Sequence, residues 1–285
     1  MIACAKINLI LNVKQRRPDG YHELDTIFYP LRNVADTLSW SDNEPGNGIR
    51  ISCAHPGVPL DPEKNLCGKA VTAYAKAAGL PLPDCNITLT KVIPCAGGMG
   101  GGSSDCAAVL RFLQEKYHAL TDVQLAQLAL TLGADVPFFL HSVPARAQGV
   151  GEKLSPLSGI PEDLPILLAA PDFPVSARWA YRQWKPAAAL PEENTEKLIT
   201  ALQSGDLVPA AQYIGNSLAA PAFRKFPLLA LIRQSMMESG ALCAELSGSG
   251  PSVFAMYQNA EALQKGSAFL SGRIPGIRIL SNLSI

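Results

Sequence analysis

The chain has 285 residues, enough for one large domain or two smaller ones around a sizeable core. Its 24 basic and 24 acidic residues cancel, so no overall field attracts nucleic acid, and no apolar run approaches the ~20 residues that span a membrane. Seven scattered cysteines without a C-x-x-C pair predict reduced thiols, and four histidines without ligand spacing argue against zinc. A strand pattern starts almost at Met1 and leaves no room for a signal peptide. We therefore expect a cytoplasmic protein without a nucleic-acid or membrane partner, either a monomer or a weak homodimer.

Alternating apolar residues predict strands, and apolar residues three and four apart predict helices. In chain order, the first half holds a strand at 5–13, a turn at 18–20, an extended segment at 21–30, a helix at 65–79, a strand at 87–92, a glycine-rich loop followed by a helix, and a helix at 121–133. The second half holds strands at 166–170, 242–246, 252–257 and 277–282, and helices at 176–184, 195–204, 206–214, 227–239 and 260–270. Apart from a helical insertion, this second half is typical of a split βαβ arrangement. We predict an α+β protein of two lobes with a cleft between them, divided at 1–154 and 155–285.

The glycine-rich loop is the strongest sequence signal of a binding site. Five glycines fall within six positions from Gly97 to Gly102, two serines follow, and the pattern then becomes helical. Glycine permits positive φ and close approach of a ligand to the main chain, and the unpaired N–H groups of a helix start favour an anion. The loop lacks the lysine of a P-loop, the last glycine of the Rossmann fingerprint and the companion motifs of protein kinases. A flexible linker is the alternative, but apolar elements on both sides favour a phosphate site.

Two charged residues have both a structural and a functional interpretation. Lys6 and Asn8 are two positions apart on the first strand and point the same way, either as an exposed strand face or into a site. Asp135 is followed by Val136-Pro137-Phe138-Phe139, so it either caps the next helix or serves as a catalytic carboxylate. The local sequence does not decide between these interpretations.

A second loop and three aromatic residues are equally ambiguous. Ser247-Gly248-Ser249-Gly250 lies between two apolar strands, where it is either a hairpin loop or a second anion-binding nest. Tyr21 and His22 follow a turn, and Tyr181 lies on a short predicted helix. These rings are either surface aromatics or the side chains that stack on a base.

Three segments taken together resemble the three motifs of the GHMP small-molecule kinases. They are Ala5-Lys6-Ile7-Asn8-Leu9, the run from Pro94 to Ala108, and the run from Leu246 to Phe254, and they cover almost the whole chain. Two further runs, R-P-D-G-Y-H at 17–22 and L-G-A-D-V-P-F at 132–138, are similar to a branch of the family that acts on a cytidine diphosphate substrate. Cys4 and Ala96 depart from the family pattern, which has Pro and, in some members, Gly at these positions.

The resemblance implies a GHMP kinase fold and transfer of the γ-phosphoryl group of ATP, with Mg²⁺, to a hydroxyl of a small cytidine diphosphate compound. It implies that Asp135 and Lys6 are catalytic and that Asn65 and Lys91 lie near the adenine and ribose. The residues implied to hold the phosphates of ATP are Pro94, Cys95, Ala96, Gly97, Gly98, Met99, Gly100, Gly101, Gly102, Ser103 and Ser104. The residues implied to hold the cytidine diphosphate are Asn8, Tyr21, His22 and Tyr181. The metal ligands stay unknown, although a hydroxyl such as that of Ser104 could bind Mg²⁺.

Two other functions remain open on the sequence. One is a different GHMP kinase that acts on a mevalonate-, homoserine- or sugar-like alcohol. The other is a nucleotide-binding regulatory protein that has kept the fold without catalysis, although intact Lys6 and Asp135 argue against it.

Overall fold

The computed structural model describes residues 1–283, which form two compact units interleaved along the chain. The first unit comprises Met1–Ala5, Ala35–Cys95 and Gly100–Ser142, and the second comprises Lys6–Val34, Ala96–Met99 and the chain from Val143 onward. The predicted division after residue 154 and the predicted cleft between two lobes stay predictions. No helix in the described part of the chain is long and apolar enough to cross a membrane.

The strands are β1 (Ile2–Arg16), β2 (His22–Asp42), β3 (Ile49–Cys53), β4 (Cys85–Thr90), β5 (Ala145–Gly149), β6 (Lys153–Pro156), β7 (Ile166–Ala170), β8 (Gly215–Asn216), β9 (Cys243–Leu246), β10 (Val253–Met256) and β11 (Arg278–Ser281). The helices are α1 (Leu66–Ala78), α2 (Gly101–Tyr117), α3 (Asp122–Leu132), α4 (Val136–His141), α5 (Ala177–Gln183), α6 (Asn194–Gln203), α7 (Leu207–Tyr213), α8 (Ala219–Lys225), α9 (Pro227–Glu238) and α10 (Ala260–Arg273), with a 3₁₀ turn at Pro186–Ala188. This mixture of helices and strands confirms the predicted α+β class.

The first unit packs helices α1 to α4 with a short set of strands. β3 lies parallel to β4, and β4 pairs antiparallel with residues 37–42 of β2. The helix ends follow their predicted signals: Asn65 caps α1, Gly79 ends it with φ of +65°, and Thr121 and Gln124 form the capping box of α3.

The second unit contains two groups of strands. β1 pairs parallel with β8, while residues 24–28 of β2 pair with β5 and β5 pairs with β6. β11, β7, β10 and β9 form a separate antiparallel sheet in that order. β7 and β9 both pair antiparallel with β10, which lies between them, and helices connect β7 to β9 along the chain. This order confirms the split βαβ arrangement.

β2 is twice as long as the extended segment predicted at 21–30. Proline has no N–H to donate to a neighbouring strand, so a sequence pattern is expected to stop at Pro30. In the structure, the pairing with β5 ends at Phe28 and the pairing with β4 starts at Thr37, so Pro30 lies where β2 changes partners and interrupts neither ladder. The short segments β3, β5, β6, β8 and α8 are also absent from the prediction. β7, β9 and β10 are as short but consist almost wholly of buried apolar residues or lie beside a predicted loop, which made them visible in the sequence.

Candidate active site

The glycine-rich loop enters α2 with the backbone geometry of an anion site. Gly98 and Gly100 have φ of +77° and +70°, which glycine adopts without strain, and Gly100 is the N-cap of α2. The amide of Ser104 donates to the carbonyl of Gly100 at 2.8 Å, so the first intrahelical bond forms at this residue. The preceding N–H groups of the first turn are left for an anion, which the helix dipole also favours.

The third motif packs directly against the glycine-rich loop within the second unit. The Ser247 hydroxyl donates to the carbonyl of Gly98 at 3.1 Å, and the Ser252 amide donates to the carbonyl of Gly97 at 3.3 Å. A Cβ atom on Gly98 would clash with the carbonyl of Ser247 and would lie 3.0 Å from that of Gly250. The motif is therefore more than a hairpin loop, because it supports the backbone of the predicted phosphate loop.

A single amide holds the third motif in place. The Asn216 side chain donates to the carbonyls of Leu246 at 2.8 Å and Gly248 at 2.7 Å, and its oxygen accepts from the Leu218 amide at 2.8 Å. Asn216 lies in the two-residue strand β8, and no sequence pattern marked it.

Lys6 and Asn8 form a buried polar row on β1. The Lys6 ammonium donates to Asn8 Oδ1 at 2.8 Å, and Asn8 Nδ2 donates to Thr26 Oγ1 at 2.7 Å. Lys6 is 5% exposed and its Nζ lies 4.3 Å from the ring centre of Phe28. The interpretation as an exposed strand face is therefore wrong. The Lys6 amide also donates to the carbonyl of Met99 at 3.0 Å, which ties β1 to the glycine-rich loop.

Asp135 is the N-cap residue of the short helix α4, with Pro137 in the first turn. Its carboxylate makes no side-chain capping hydrogen bond to that helix, so the capping interpretation does not explain the residue. The side chain is half-buried at the start of α4, and its catalytic role stays a prediction.

The two residues predicted near the adenine and ribose already have intramolecular partners. Asn65 Oδ1 accepts from the Cys67 amide at 2.8 Å, and Asn65 Nδ2 donates to the carbonyl of Pro59 at 2.7 Å. The Lys91 ammonium lies between Asp36 Oδ2 at 2.5 Å and Asp105 Oδ2 at 2.6 Å. Their side chains would have to exchange these bonds to reach a nucleotide directly, so nucleotide contacts of these residues stay predictions.

Sequence reasoning missed Asp36 and the role of Asp105. Asp36 lies in the long strand β2, where a single acidic residue carries no pattern, and Asp105 was quoted only as part of a motif. Burial raises the pKa of the Asp105 carboxyl, and the Lys91 ammonium opposes that shift.

The aromatic residues predicted to hold the substrate meet in one cleft of about 1080 Å³ in the second unit. The His22 ring lies 5.3 Å from the ring of Tyr181 and 5.6 Å from that of Trp184, with Tyr21 65% exposed on the same cleft wall. Burial lowers the pKa of His22, and the nearby positive charge of Arg16 lowers it further, so the ring is neutral at pH 7.

Four basic side chains and one acidic side chain, that of Asp19, also line the cleft. The basic ones are Lys14, Arg16, Arg178 and Arg182. Arg178, Arg182 and Trp184 were missed, although all three lie within the helix predicted at 176–184, which also carries Tyr181. Aromatic rings beside several cations suit a ligand that carries both a base and phosphate groups.

Comparisons with known proteins agree with this geometry. Residues 65–142 match the GHMP kinases N terminal domain, and residues 198–273 match the GHMP kinases C terminal domain. A 4-diphosphocytidyl-2-C-methyl-D-erythritol kinase of Nitratidesulfovibrio vulgaris strain Hildenborough is 36% identical over 284 residues, which cover 98% of this chain and 96% of that protein. The protein of the same name from Chlorobium chlorochromatii is 40% identical over 265 residues, covering 91% of this chain and 89% of its own.

Two solved structures of kinases also match almost the whole chain. The crystal structure of a 4-(cytidine 5'-diphospho)-2C-methyl-D-erythritol kinase is 37% identical, covers 99% of this chain and 97% of its own, and superposes with a TM-score of 0.82. A mevalonate kinase of L. major in complex with R-mevalonate superposes with a TM-score of 0.74 at 17% identity, a likeness of fold alone.

Proposed function

This chain belongs to the GHMP kinases and, within them, to the 4-diphosphocytidyl-2-C-methyl-D-erythritol kinases, and on that premise we propose that it phosphorylates the 2-hydroxyl of 4-diphosphocytidyl-2-C-methyl-D-erythritol. ATP is the phosphate donor. The reaction is a phosphotransfer to an alcohol, and we place it in the non-mevalonate route to isoprenoid precursors.

The substrate assignment is supported most by the aromatic cleft. A cytosine ring can stack on an aromatic side chain of the cleft, and a neutral His22 imidazole has one nitrogen to donate and one to accept a hydrogen bond. Tyr21 and Tyr181 supply ring faces beside it, and the basic residues of the cleft supply positive charge for the diphosphate.

The phosphate groups of ATP are assigned to the glycine-rich loop, residues 94–104. Backbone N–H groups at the start of α2 and the hydroxyls of Ser103 and Ser104 would hold them, while Gly98 lets the loop backbone pack closely against the third motif. The Ser104 hydroxyl is our candidate ligand for Mg²⁺, which would neutralise phosphate charge when it is bound with ATP.

The transfer itself asks the protein mainly for positioning and charge stabilisation. The substrate hydroxyl oxygen attacks the γ-phosphorus, the bond to the bridging oxygen of ADP breaks, and Asp135 accepts the hydroxyl proton. Lys6 offsets the negative charge of the transferring group, and the hydrogen bonds from Lys6 to Asn8 and from Asn8 to Thr26 fix its ammonium in one orientation.

Substrate specificity is tested by measuring ATP consumption with a panel of alcohols. We expect turnover with 4-diphosphocytidyl-2-C-methyl-D-erythritol and none with mevalonate, homoserine or a sugar alcohol. Calorimetric titration should show CDP binding at least tenfold tighter than UDP, because the cleft reads the base. Equal binding of CDP and UDP would contradict the assignment of the cleft. ATP binding without turnover of any alcohol would favour a non-catalytic nucleotide-binding protein.

The catalytic assignments are tested by Asp135→Asn and Lys6→Met. Loss of one electrostatic group at a reacting centre costs on the order of 2.7–4 kcal/mol, or a factor of 10²–10³ in kcat. The matched control is Asp163→Asn, which neutralises an exposed aspartate far along the chain and should leave kcat unchanged. Near-normal turnover of Asp135→Asn, or an effect of Lys6→Met on stability alone, would remove that residue from the mechanism.

A further inference from the structure

Three residues of the first unit have buried charged side chains next to the two ends of the glycine-rich loop, and they have no part in the mechanism above. Asp36 on β2, Lys91 just after β4 and Asp105 on α2 have side chains no more than 5% exposed. The Lys91 ammonium bridges the two carboxylates at 2.5 and 2.6 Å. We call these three residues the loop anchor.

The loop anchor contacts the chain immediately before the glycine-rich loop. Asp36 Oδ1 accepts hydrogen bonds from the backbone amides of Val92 at 2.6 Å and Ile93 at 2.8 Å. Both peptides directly precede Pro94, so one carboxylate oxygen fixes the direction in which the chain enters the loop. The other oxygen of the same carboxylate receives the Lys91 ammonium.

The loop anchor also holds the chain immediately after the loop. Asp105 belongs to the first turns of α2, and its tie to Lys91 connects this helix start to the end of β4. Lys91 lies close beneath that turn, since a Cβ on Gly101 would be 3.4 Å from its ammonium. Lys91 and Asp105, 14 residues apart, thus join the chain before the loop to the chain after it.

Stability alone does not explain this arrangement. Two carboxylates share one ammonium in a buried place, and Asp105 Oδ1 has no hydrogen-bond partner. Replacing a buried ionic group by apolar residues of similar size is often neutral or stabilising, because the charges lose more hydration than they regain. What the arrangement does supply is a fixed geometry for the backbone on both sides of the loop.

We propose that Asp36, Lys91 and Asp105 are positioning residues that hold the glycine-rich loop in the conformation that binds the phosphates of ATP. The proposal rests on the proposed function for the identity of the ligand. It gives Lys91 an indirect role, through the loop backbone and the start of α2, in place of the direct contact with the nucleotide that the sequence predicted. Asp105 is 3% exposed and bonded to Lys91, so its effect on the ligand is indirect.

The test uses Asp105→Leu in the full chain. Leucine carries no charge and leaves a neutral Lys91–Asp36 pair, but it is larger than aspartate, so the melting temperature of the variant is measured first to establish that it folds. We expect KM for ATP and the Kd of a non-hydrolysable ATP analogue to rise at least tenfold, while KM for the cytidine substrate changes less than threefold. Asp105→Asn keeps an oxygen for the Lys91 ammonium and should restore analogue binding to within threefold of the original chain.

Two further measurements keep the result decisive. Asp122→Asn neutralises an exposed aspartate in the first turn of α3 and should leave the Kd of the analogue unchanged. Should Asp105→Leu fail to fold, Asp105→Ala takes its place, since alanine suits any helix position. A folded Asp105 variant that binds the analogue as tightly as the original chain would overturn the loop anchor. If the original chain binds the analogue but does not turn over the cytidine substrate, the proposed function is refuted. The difference in analogue Kd between the Asp105 variants and the original chain would still test the loop anchor.

Discussion

The contact between the glycine-rich loop and the third motif leads to a sharp prediction for Gly98→Ala. Gly98 has φ of +77°, where an alanine is strained by about 1–2 kcal/mol. The added Cβ would also clash with the Ser247 carbonyl and lie 3.0 Å from the Gly250 carbonyl, and both neighbours are backbone that cannot rotate away. Overpacking of this kind costs about 1–3 kcal/mol, so we expect a total loss of about 3 kcal/mol or more.

Gly79→Ala is the matched control for that prediction. Gly79 has φ of +65° at the end of α1, but a Cβ there would meet no heavy atom within 4 Å. It therefore carries the backbone strain without the clash, and should cost about 1–2 kcal/mol. Urea unfolding measures both free energies, and ATP titration measures the effect on the site, where we expect a raised KM for ATP in Gly98→Ala alone. Equal stabilities with an unchanged KM would refute the packing argument.

Three further predictions concern residues around the site. Ala96 has φ of +54°, a backbone conformation that strains alanine but not glycine. After the entropy cost of glycine, Ala96→Gly should still raise the free energy of unfolding by about 0.5–1 kcal/mol. Urea unfolding measures this change, and a decrease would contradict the prediction. Burial raises the pKa of Glu245 from 4.5 to about 7, so between these pH values the folded state keeps a proton that the unfolded state releases. The free energy of unfolding should therefore fall by roughly 1–3 kcal/mol as the pH rises from 4.5 to 7. Glu245→Gln should abolish this fall in melts at pH 5 and pH 8, and an unchanged pH profile would refute the assignment. Asp25→Asn should lower the free energy of unfolding by about 3 kcal/mol, because it removes the buried carboxylate that pairs with the Arg146 guanidinium. Glu196→Gln changes an exposed partner of the same guanidinium and should cost at most about 1 kcal/mol. Equal losses in the two variants would contradict the importance of the buried pair.

The features that the sequence predicts well are those whose causes are local. The capping box at Thr121, the Asn65 cap and the glycine-rich loop depend on residues a few positions apart, so their patterns are visible in the chain. Lys6 shows the limit of this reasoning, because alternation on β1 indicates two faces but not whether the polar face is buried. Its burial depends on strands that lie far away in sequence.

The parts that could not be predicted arise from long-range contacts. Asp36 and Lys91 are 55 residues apart, and Asn12 and Leu190 are 178 apart, yet each pair shares a hydrogen bond. A lone acidic residue in a strand looks like an ordinary surface residue until the fold buries it. The loop anchor therefore becomes visible only in the structure.

The Asn216 amide has a consequence for how this position can change through mutation. In the genetic code an aspartate is one base change away from an asparagine, so a single mutation produces this replacement. It preserves the size of the side chain but replaces the donating nitrogen by an oxygen, so a carboxylate would face the carbonyl oxygens of Leu246 and Gly248. A replacement that needs only one base change, and that looks mild in a sequence comparison, would thus push apart the backbone that the asparagine now holds together.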